Sequence, residues 1–301
     1  MTDWNNKEEV LEAVKKDGYV LKKASKTLRD DKEIVMAAVK QNVDLFEYAS
    51  EELKGDREFV LALLEQGGDG GYYSNGNVVW LFSEELKADR EVVLAGIKGG
   101  FSDLYIVSKE LRADREVVLA AINNDGLSLQ SASKELICDK EVLLAALNAE
   151  YIWGDLVNIL IKKTSKELRA DREVLLAAVK RGYSLKYKHI SEKLRNDKEV
   201  VLAAISHTIN ALKYASKELR DDKEVVLAAV NKKGLNLEYA SERLRADKEV
   251  LLAAITQNIK ALKYASEELK DNPTKQGNHD LSKPNSLKML KSAIKRFLES
   301  L

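Results

Sequence analysis

The sequence predicts an all-α protein: an α-solenoid, or superhelical stack, of ten two-helix repeats of roughly 25 residues, with a C-terminal capping helix. Three observations predict this class. An Asp-(Lys/Arg)-Glu triplet recurs along the chain, an apolar run such as VVLAAI (117–122) follows it, and a shorter, more polar segment follows the run. The triplet aspartates are Asp31, Asp56, Asp89, Asp114, Asp139, Asp171, Asp197, Asp222 and Asp247, with Asn6 and Asn272 in the same frame.

The first helix of each repeat begins at the triplet. An aspartate at the N-cap accepts hydrogen bonds from free backbone N–H groups, and the glutamate two residues later suits the positive end of the helix dipole. The following run is apolar at nearly every position, so we expect neighbouring repeats to cover most of its faces. A strand has a similar short-range pattern, but the caps and the paired alanines favour a helix.

The second helix is shorter, as in LEYASERLR (237–245). Leu237, Ala240 and Leu244 form one narrow apolar stripe, which predicts that the helix docks on one side and faces water on the other. A leucine recurs three residues before each cap and a serine six residues before it. We interpret the serine as a small residue at a tight crossing that bonds back to its own helix, rather than as part of a functional row of hydroxyls.

The phrase SKELRADREVVLAAI (108–122), with close copies at 216–230 and 241–255, resembles a helical repeat family catalogued as domain of unknown function 4116. The resemblance covers residues 6–272. It implies a repeat architecture and brings no catalytic motif.

Composition restricts the classes of partner. Apolar residues make up 45% of the chain and charged residues 33%, which suits a soluble protein with a core. Forty-nine basic residues balance forty-nine acidic ones, so no overall field attracts nucleic acid or anionic lipid. The single cysteine, the acidic start and the lack of a long apolar run predict a cytoplasmic protein without a membrane span.

Two insertions interrupt the repeats. QGGDGGYYSNGN (66–77) lengthens the third repeat and LNAEYIWGDLVNILIKK (147–163) lengthens the sixth. Both lie between the first and second helices, so we expect them at the same edge of the stack, where aromatic residues could bind a partner. The predicted binding residues are Tyr72, Tyr73, Trp80, Phe101, Tyr105, Tyr151 and Trp153. An alternative stays open, in which Asn75 and Gly76 only form a turn while Trp80 and Phe82 fill the core.

Catalytic and cofactor motifs find little support. The glycines lack the Lys-Ser or Lys-Thr of a phosphate loop, and Asp69 lacks the alternating carboxylates of a calcium loop. His189, His207 and His279 fit no metal motif, so the sequence predicts no metal, no cofactor and no catalytic residue.

Two further surface features recur. Tyr48, Tyr214, Tyr239 and Tyr264 each lie eight residues before a cap, and we interpret them as half-buried packing residues. A basic residue two before the cap, such as Arg112 or Arg220, is predicted to pair with glutamates on a solvated face.

The sequence divides into a repeat array (1–272), a linker (273–285) and an amphipathic C-terminal helix (286–301) that we expect to cap the array, or less favourably to bind a partner or a membrane surface. We expect a non-enzymatic scaffold that binds another protein or a peptide through the insertions and the solenoid surface. Two alternatives remain open: an enzyme or small-ligand protein with a pocket between the insertions, and a less favoured nucleic-acid binder.

Overall fold

The computed structural model describes residues 2–65, 75–150, 152, 154–186 and 190–266, without the side chains of 75–77. Within these residues the protein is an all-α repeat solenoid, and no strand occurs. The chain divides into two compact units, Met1–Ile152 and Trp153–Leu301, and each is described by itself. The predicted linker (273–285) and capping helix (286–301) lie outside the described residues.

Each of the ten repeats starts with an α-helix, which we call its core helix. In repeat 5, Asp114 Oδ1 accepts hydrogen bonds from the backbone nitrogens of Glu116 and Val117, at 2.9 and 3.1 Å, which confirms the predicted cap. The core helices are Lys7–Lys16, Lys32–Val39, Arg57–Glu65, Arg90–Lys98, Arg115–Asn124, Lys140–Asn148, Arg172–Lys180, Lys198–His207, Lys223–Lys232 and Lys248–Gln257.

The core helices are fully buried along one face rather than on most faces, as the apolar run predicts. In repeat 5, Val117, Val118, Ala121 and Ile122 are buried. The intervening Leu119 and Ala120 are half-buried, and the equivalent pairs from Met36-Ala37 to Leu252-Ala253 repeat this pattern. Neighbouring repeats therefore bury only part of the apolar run. The remaining positions, mostly leucine followed by alanine, form a half-exposed strip.

The second helix has a finer structure than the pattern predicts, because it is split into two short pieces. The first piece is a 3-10 helix in most repeats: Gly18–Lys23, Val43–Tyr48, Asn75–Leu81, Leu104–Ile106, Gly126–Ser131, Ala211–Tyr214, Gly234–Tyr239 and Ile259–Tyr264. In repeat 6 the α-helix Asp155–Lys163 takes its place. The second piece is a single turn: Leu28–Asp30, Glu51–Lys54, Leu86–Ala88, Leu111–Ala113, Lys134–Ile137, Lys166–Arg169, Glu192–Arg195, Leu219–Asp221 and Glu242–Arg245.

The recurring serine lies at this break, and its predicted role was wrong. Ser50 has an extended backbone, and its Oγ accepts a hydrogen bond from the Leu53 backbone nitrogen at 3.0 Å. It therefore caps the turn that follows instead of bonding back to the preceding segment. Its own backbone N–H donates to the carbonyl of Arg29 in the previous repeat at 2.9 Å. The serine thus joins adjacent repeats while it starts a new turn.

The basic residue of the triplet also joins adjacent repeats, through an ion pair with the start of the following core helix. Arg90 Nε donates to Asp114 Oδ2 of the next repeat at 2.8 Å, and its Nη2 contacts Glu116. This proximity of Arg90 holds the pKa of Asp114 below its usual value. We call the series the ionic ladder; further steps start from Lys7, Lys32, Arg57, Arg115, Arg172, Lys198 and Lys223.

The basic residue two before the cap, present in nearly every repeat, is less solvated than predicted. The side chains of Lys54 and Lys87 are only 12% and 13% exposed. Nε of Arg112 and of Arg220 is buried, with no hydrogen-bond partner among the described residues. Their long alkyl stems fill space in the array and carry the charge outward, as basic side chains do at apolar surfaces.

Candidate interaction surface

The 3-10 helices of the first four repeats each carry an aromatic residue that reaches the surface. Tyr19 is 53% exposed, Trp80 46% and Tyr105 65%, while Tyr48 is half-buried. The first three of these 3-10 helices pack side by side, and a ring contact joins the third to the fourth. Together these side chains form what we call the aromatic row.

Trp80 and Tyr105 occupy equivalent positions, nine residues before the caps of consecutive repeats. Other repeats place hydrated side chains at this exposed position: Lys22, Glu47, Gln130, Lys213, Glu238 and Lys263. The ring centroids of Trp80 and Tyr105 lie 5.8 Å apart, with the planes inclined at 47°. Two large aromatic side chains therefore share a surface that the fold elsewhere leaves to polar groups.

The supporting residues beneath the pair are tightly packed. Val79 and Leu104, the residues just before Trp80 and Tyr105, are fully buried, and Phe82 is nearly so. Asp103 Oδ1 accepts a hydrogen bond from the Tyr105 backbone nitrogen at 3.3 Å, which fixes the start of the 3-10 helix Leu104–Ile106. The pair therefore stands on a preformed base, which lowers the entropic cost of binding.

The surroundings of the pair change from apolar to acidic. Leu81 and Ile106, next to the two rings in sequence, are half-buried. In repeat 2, Asp44 and Glu47 are exposed, and the Glu47 carboxylate raises the pKa of Tyr48 by accepting its hydroxyl hydrogen bond. An apolar centre with a polar border is the usual composition of a protein-binding patch.

The structure sorts the predicted site residues into three groups. It brings Trp80 and Tyr105 together on the surface. It places Phe101 in the core at 2% exposure, because this residue follows the positive-φ Gly100 and its N–H bonds back to the Gly96 carbonyl. Phe101 is therefore a packing residue rather than a surface contact. The remaining residues, Tyr72, Tyr73, Tyr151 and Trp153, lie outside the described residues, as does the pocket expected between the insertions.

Sequence reasoning did not single out Tyr19. Its hydroxyl accepts a hydrogen bond from Asn42 Nδ2 of the next repeat at 3.1 Å, and its ring remains exposed. Its position in the repeat could have identified it as exposed. Tyr19 lies twelve residues before the cap, three residues before the exposed position that Trp80 and Tyr105 occupy in their repeats. Residues three apart eclipse on a 3-10 helix, so both positions face the same way.

A second surface is the half-exposed leucine and alanine strip of the core helices. In repeat 5 it contributes Leu119 and Ala120 to a depression of about 510 Å³, bordered by Arg115 and Glu116. Arg115 pairs with Glu141, so its charge is already engaged. The strip is part of the solenoid surface, which the sequence predicts as a contact together with the insertions.

Chemistry-bearing clusters are scarce in the described part of the chain. No group of three or more histidine, cysteine, aspartate or glutamate side chains there could hold a metal ion. Cys138 is half-buried and forms no disulfide. None of the described helices has both the length and the apolar character needed to cross a bilayer.

The repeats match the model of one protein family, described as Domain of unknown function (DUF4116), at four places. The matches cover residues 6–54, 114–151, 183–220 and 222–270. No curated protein and no solved structure matches the chain.

Proposed function

This chain belongs to the DUF4116 family, and from the aromatic row on its repeats we propose that it is a non-enzymatic scaffold that binds another protein or a peptide. The exposed pair Trp80 and Tyr105 carries the proposal. Tryptophan and tyrosine are the residue types that dominate binding energy at protein interfaces, since they bury large areas with few rotatable bonds. We further place the protein in the cytoplasm, which its single cysteine supports.

The described residues favour a protein or peptide over a small ligand. Trp80 and Tyr105 stand on an open surface, whereas small-molecule sites enclose most of their ligand in a concave, largely apolar cavity. A partner with one or two apolar anchors would cover both rings and leave the acidic border hydrated. The row extends over several repeats, which suits an extended segment rather than a compact metabolite.

Peptide selection on the full-length chain tests this function. A random peptide library is selected on the wild-type protein, and the Kd of each selected peptide is then measured by fluorescence polarisation. We expect Trp80→Ala with Tyr105→Ala to weaken the selected peptides by at least about 10-fold, the effect of losing one or two interface anchors.

The matched control is Ile159→Ala, which removes another exposed apolar side chain, in the other compact unit. It should leave the affinity unchanged, and both variants should keep wild-type circular dichroism. Peptides that bind the double variant as tightly as the wild type would refute the aromatic row as the site. A metabolite that shifts the melting temperature, with no peptide selected, would favour the small-ligand alternative.

A further inference from the structure

Repeats 8 to 10 carry a second surface that differs in charge from the aromatic row. Their 3-10 helices, Ala211–Tyr214, Gly234–Tyr239 and Ile259–Tyr264, pack side by side within the second compact unit. The segments 206–215, 231–240 and 256–265 contain five lysines, Lys213, Lys232, Lys233, Lys260 and Lys263, and one acid, Glu238. We call this surface the lysine-tyrosine edge.

The lysines of this edge are not neutralised as other basic residues are. Lys198 and Lys223, in the triplets of repeats 8 and 9, each contact an aspartate and a glutamate of the following repeat. None of the five edge lysines forms an ion pair with a described carboxylate. The net charge of zero for the whole chain therefore hides a local excess of positive charge here.

Tyrosine rings lie beside two of the edge lysines, Lys213 and Lys263. Lys213 Nζ lies 5.9 Å from the ring centroid of Tyr214 and 5.9 Å from that of Tyr239 in the next repeat. Lys263 Nζ lies 4.4 Å from the ring centroid of Tyr264. The ring quadrupole attracts an ammonium group and limits the positions it samples. Two of the five edge lysines therefore lie beside half-buried tyrosine rings.

The fold does not require lysine at these positions. At the positions equivalent to Lys260 and Lys263, repeat 2 has Asp44 and Glu47, and repeat 5 has Leu127 and Gln130. Lys260 and Lys263 lie three residues apart on a 3-10 helix, so both point from the same face. Packing of the repeats does not require this arrangement, because other repeats pack without it.

We propose that the lysine-tyrosine edge binds an extended acidic segment of another protein. Carboxylates complement ammonium groups that form no ion pair with a described carboxylate, and the tyrosine hydroxyls add donors beside them. Neighbouring helices lie about 10 Å apart, which about three residues of an extended chain span. An acidic residue at every third position would therefore meet one repeat after another.

Single-stranded nucleic acid is the competing polyanion, and the geometry disfavours it. Sequence-tolerant binding of single strands depends on bases stacking on open aromatic faces. Here Lys213 lies beside the rings of Tyr214 and Tyr239, and all three tyrosines are half-buried. A base would have to displace the lysine, whereas a carboxylate can bind it where it is.

The test uses the full-length chain and a fluorescein-labelled 12-residue peptide with glutamate at every third position. Fluorescence polarisation should detect binding that weakens by about 10-fold or more between 50 and 300 mM NaCl, as screening of charge pairs requires. The same peptide with glutamine in place of glutamate should not bind. An unlabelled 12-nucleotide thymidine strand should compete poorly.

Two variants with the same change in net charge locate the site. Lys213→Glu with Lys263→Glu should weaken the glutamate peptide by about 10-fold or more, because it reverses charge within the edge. Lys166→Glu with Lys217→Glu alters exposed lysines elsewhere in the same unit and should change the Kd less than about 2-fold.

Three results would overturn this inference: no binding of the glutamate peptide, equal loss in both charge variants, or stronger binding of the thymidine strand. The last would assign the edge to nucleic acid. The inference does not depend on the proposed function, since Trp80→Ala with Tyr105→Ala should leave the glutamate peptide bound.

Discussion

Arg90 and Asp114, 24 residues apart in the chain, are joined by a 2.8 Å contact between Nε and Oδ2. The same aspartate accepts hydrogen bonds from Glu116 and Val117 at the start of its own helix. One carboxylate therefore begins a helix and ties it to the repeat before it. The triplet has two roles, and substitutions can separate them.

Replacing Asp114 distinguishes the cap from the ion pair. Asp114→Asn keeps a capping oxygen and removes the charge, so we expect a loss of about 0.5 kcal/mol in the free energy of unfolding, typical of a partly exposed ion pair. Asp114→Ala removes both roles and should cost about 1 kcal/mol more, the value of an N-cap. Urea denaturation followed by circular dichroism measures both. Equal losses in the two variants would show that the cap contributes nothing.

The ionic ladder predicts how stability depends on pH. The neighbouring arginines hold the pKa values of Asp89, Asp114 and Asp197 below the usual 3.8. When the pKa of an aspartate is lower in the folded state, its stabilisation is complete at pH values above the pKa of the unfolded state. The stabilisation is lost as the pH falls through the pKa of the folded state. The free energy of unfolding should therefore change little from these groups between pH 7 and pH 5, and fall below pH 3.8. Asp114→Asn should make the fall in the free energy of unfolding below pH 3.8 slightly less steep. An unchanged slope would argue against a lowered pKa of Asp114.

The recurring serine is predicted to stabilise its repeat as a cap. In repeat 9, Ser241 Oγ accepts a hydrogen bond from the Leu244 nitrogen at 3.2 Å and donates to Asp221 of the previous repeat. Ser241→Ala should lower the free energy of unfolding by about 1 kcal/mol. Ser206 provides the control, because its hydroxyl bonds back to the Leu202 carbonyl in its own helix at 3.1 Å. Ser206→Ala should be nearly neutral, and similar losses for both serines would contradict the capping role.

A close approach between repeats limits the side chain at Gly234. A Cβ added there would lie 2.2 Å from the carbonyl oxygen of Ala254 in the next repeat. Gly234→Ala should therefore cost about 2 kcal/mol through overpacking of the interface, measured as a lower urea midpoint. At Gly55 an added Cβ would meet its nearest atoms at 3.5 Å or more, without a positive φ. Gly55→Ala should be tolerated, and a well-folded Gly234→Ala of wild-type stability would rule out the close approach.

Local chemistry allowed several features to be predicted from sequence. The Asp-(Lys/Arg)-Glu triplet indicates a capped helix because the side-chain oxygen and the free N–H groups lie within three residues of each other. The repeat period follows from the spacing of these caps. The half-buried tyrosines at 48, 214, 239 and 264 follow from an apolar stripe with a polar edge.

Features that depend on the neighbouring repeat were not predictable in this way. The serine was misinterpreted because an extended backbone at Ala49 and Ser50 interrupts the second helix, and the bond to the Arg29 carbonyl crosses between repeats. The burial of Lys54 and Lys87 was missed for the same reason. Phe101 and Trp80 are both aromatic residues near a break in the pattern, but only packing decides which one lies in the core.

The sequence by itself determined the helical repeat, its period and its caps, because these depend on contacts within a few residues. Tertiary structure alone decided that Trp80 and Tyr105 meet, that Phe101 is buried, and that Lys213 lies between two tyrosines of different repeats. Each of these depends on the rotation and offset of one repeat against the next. That geometry results from the packing of whole faces, which no short stretch of sequence encodes.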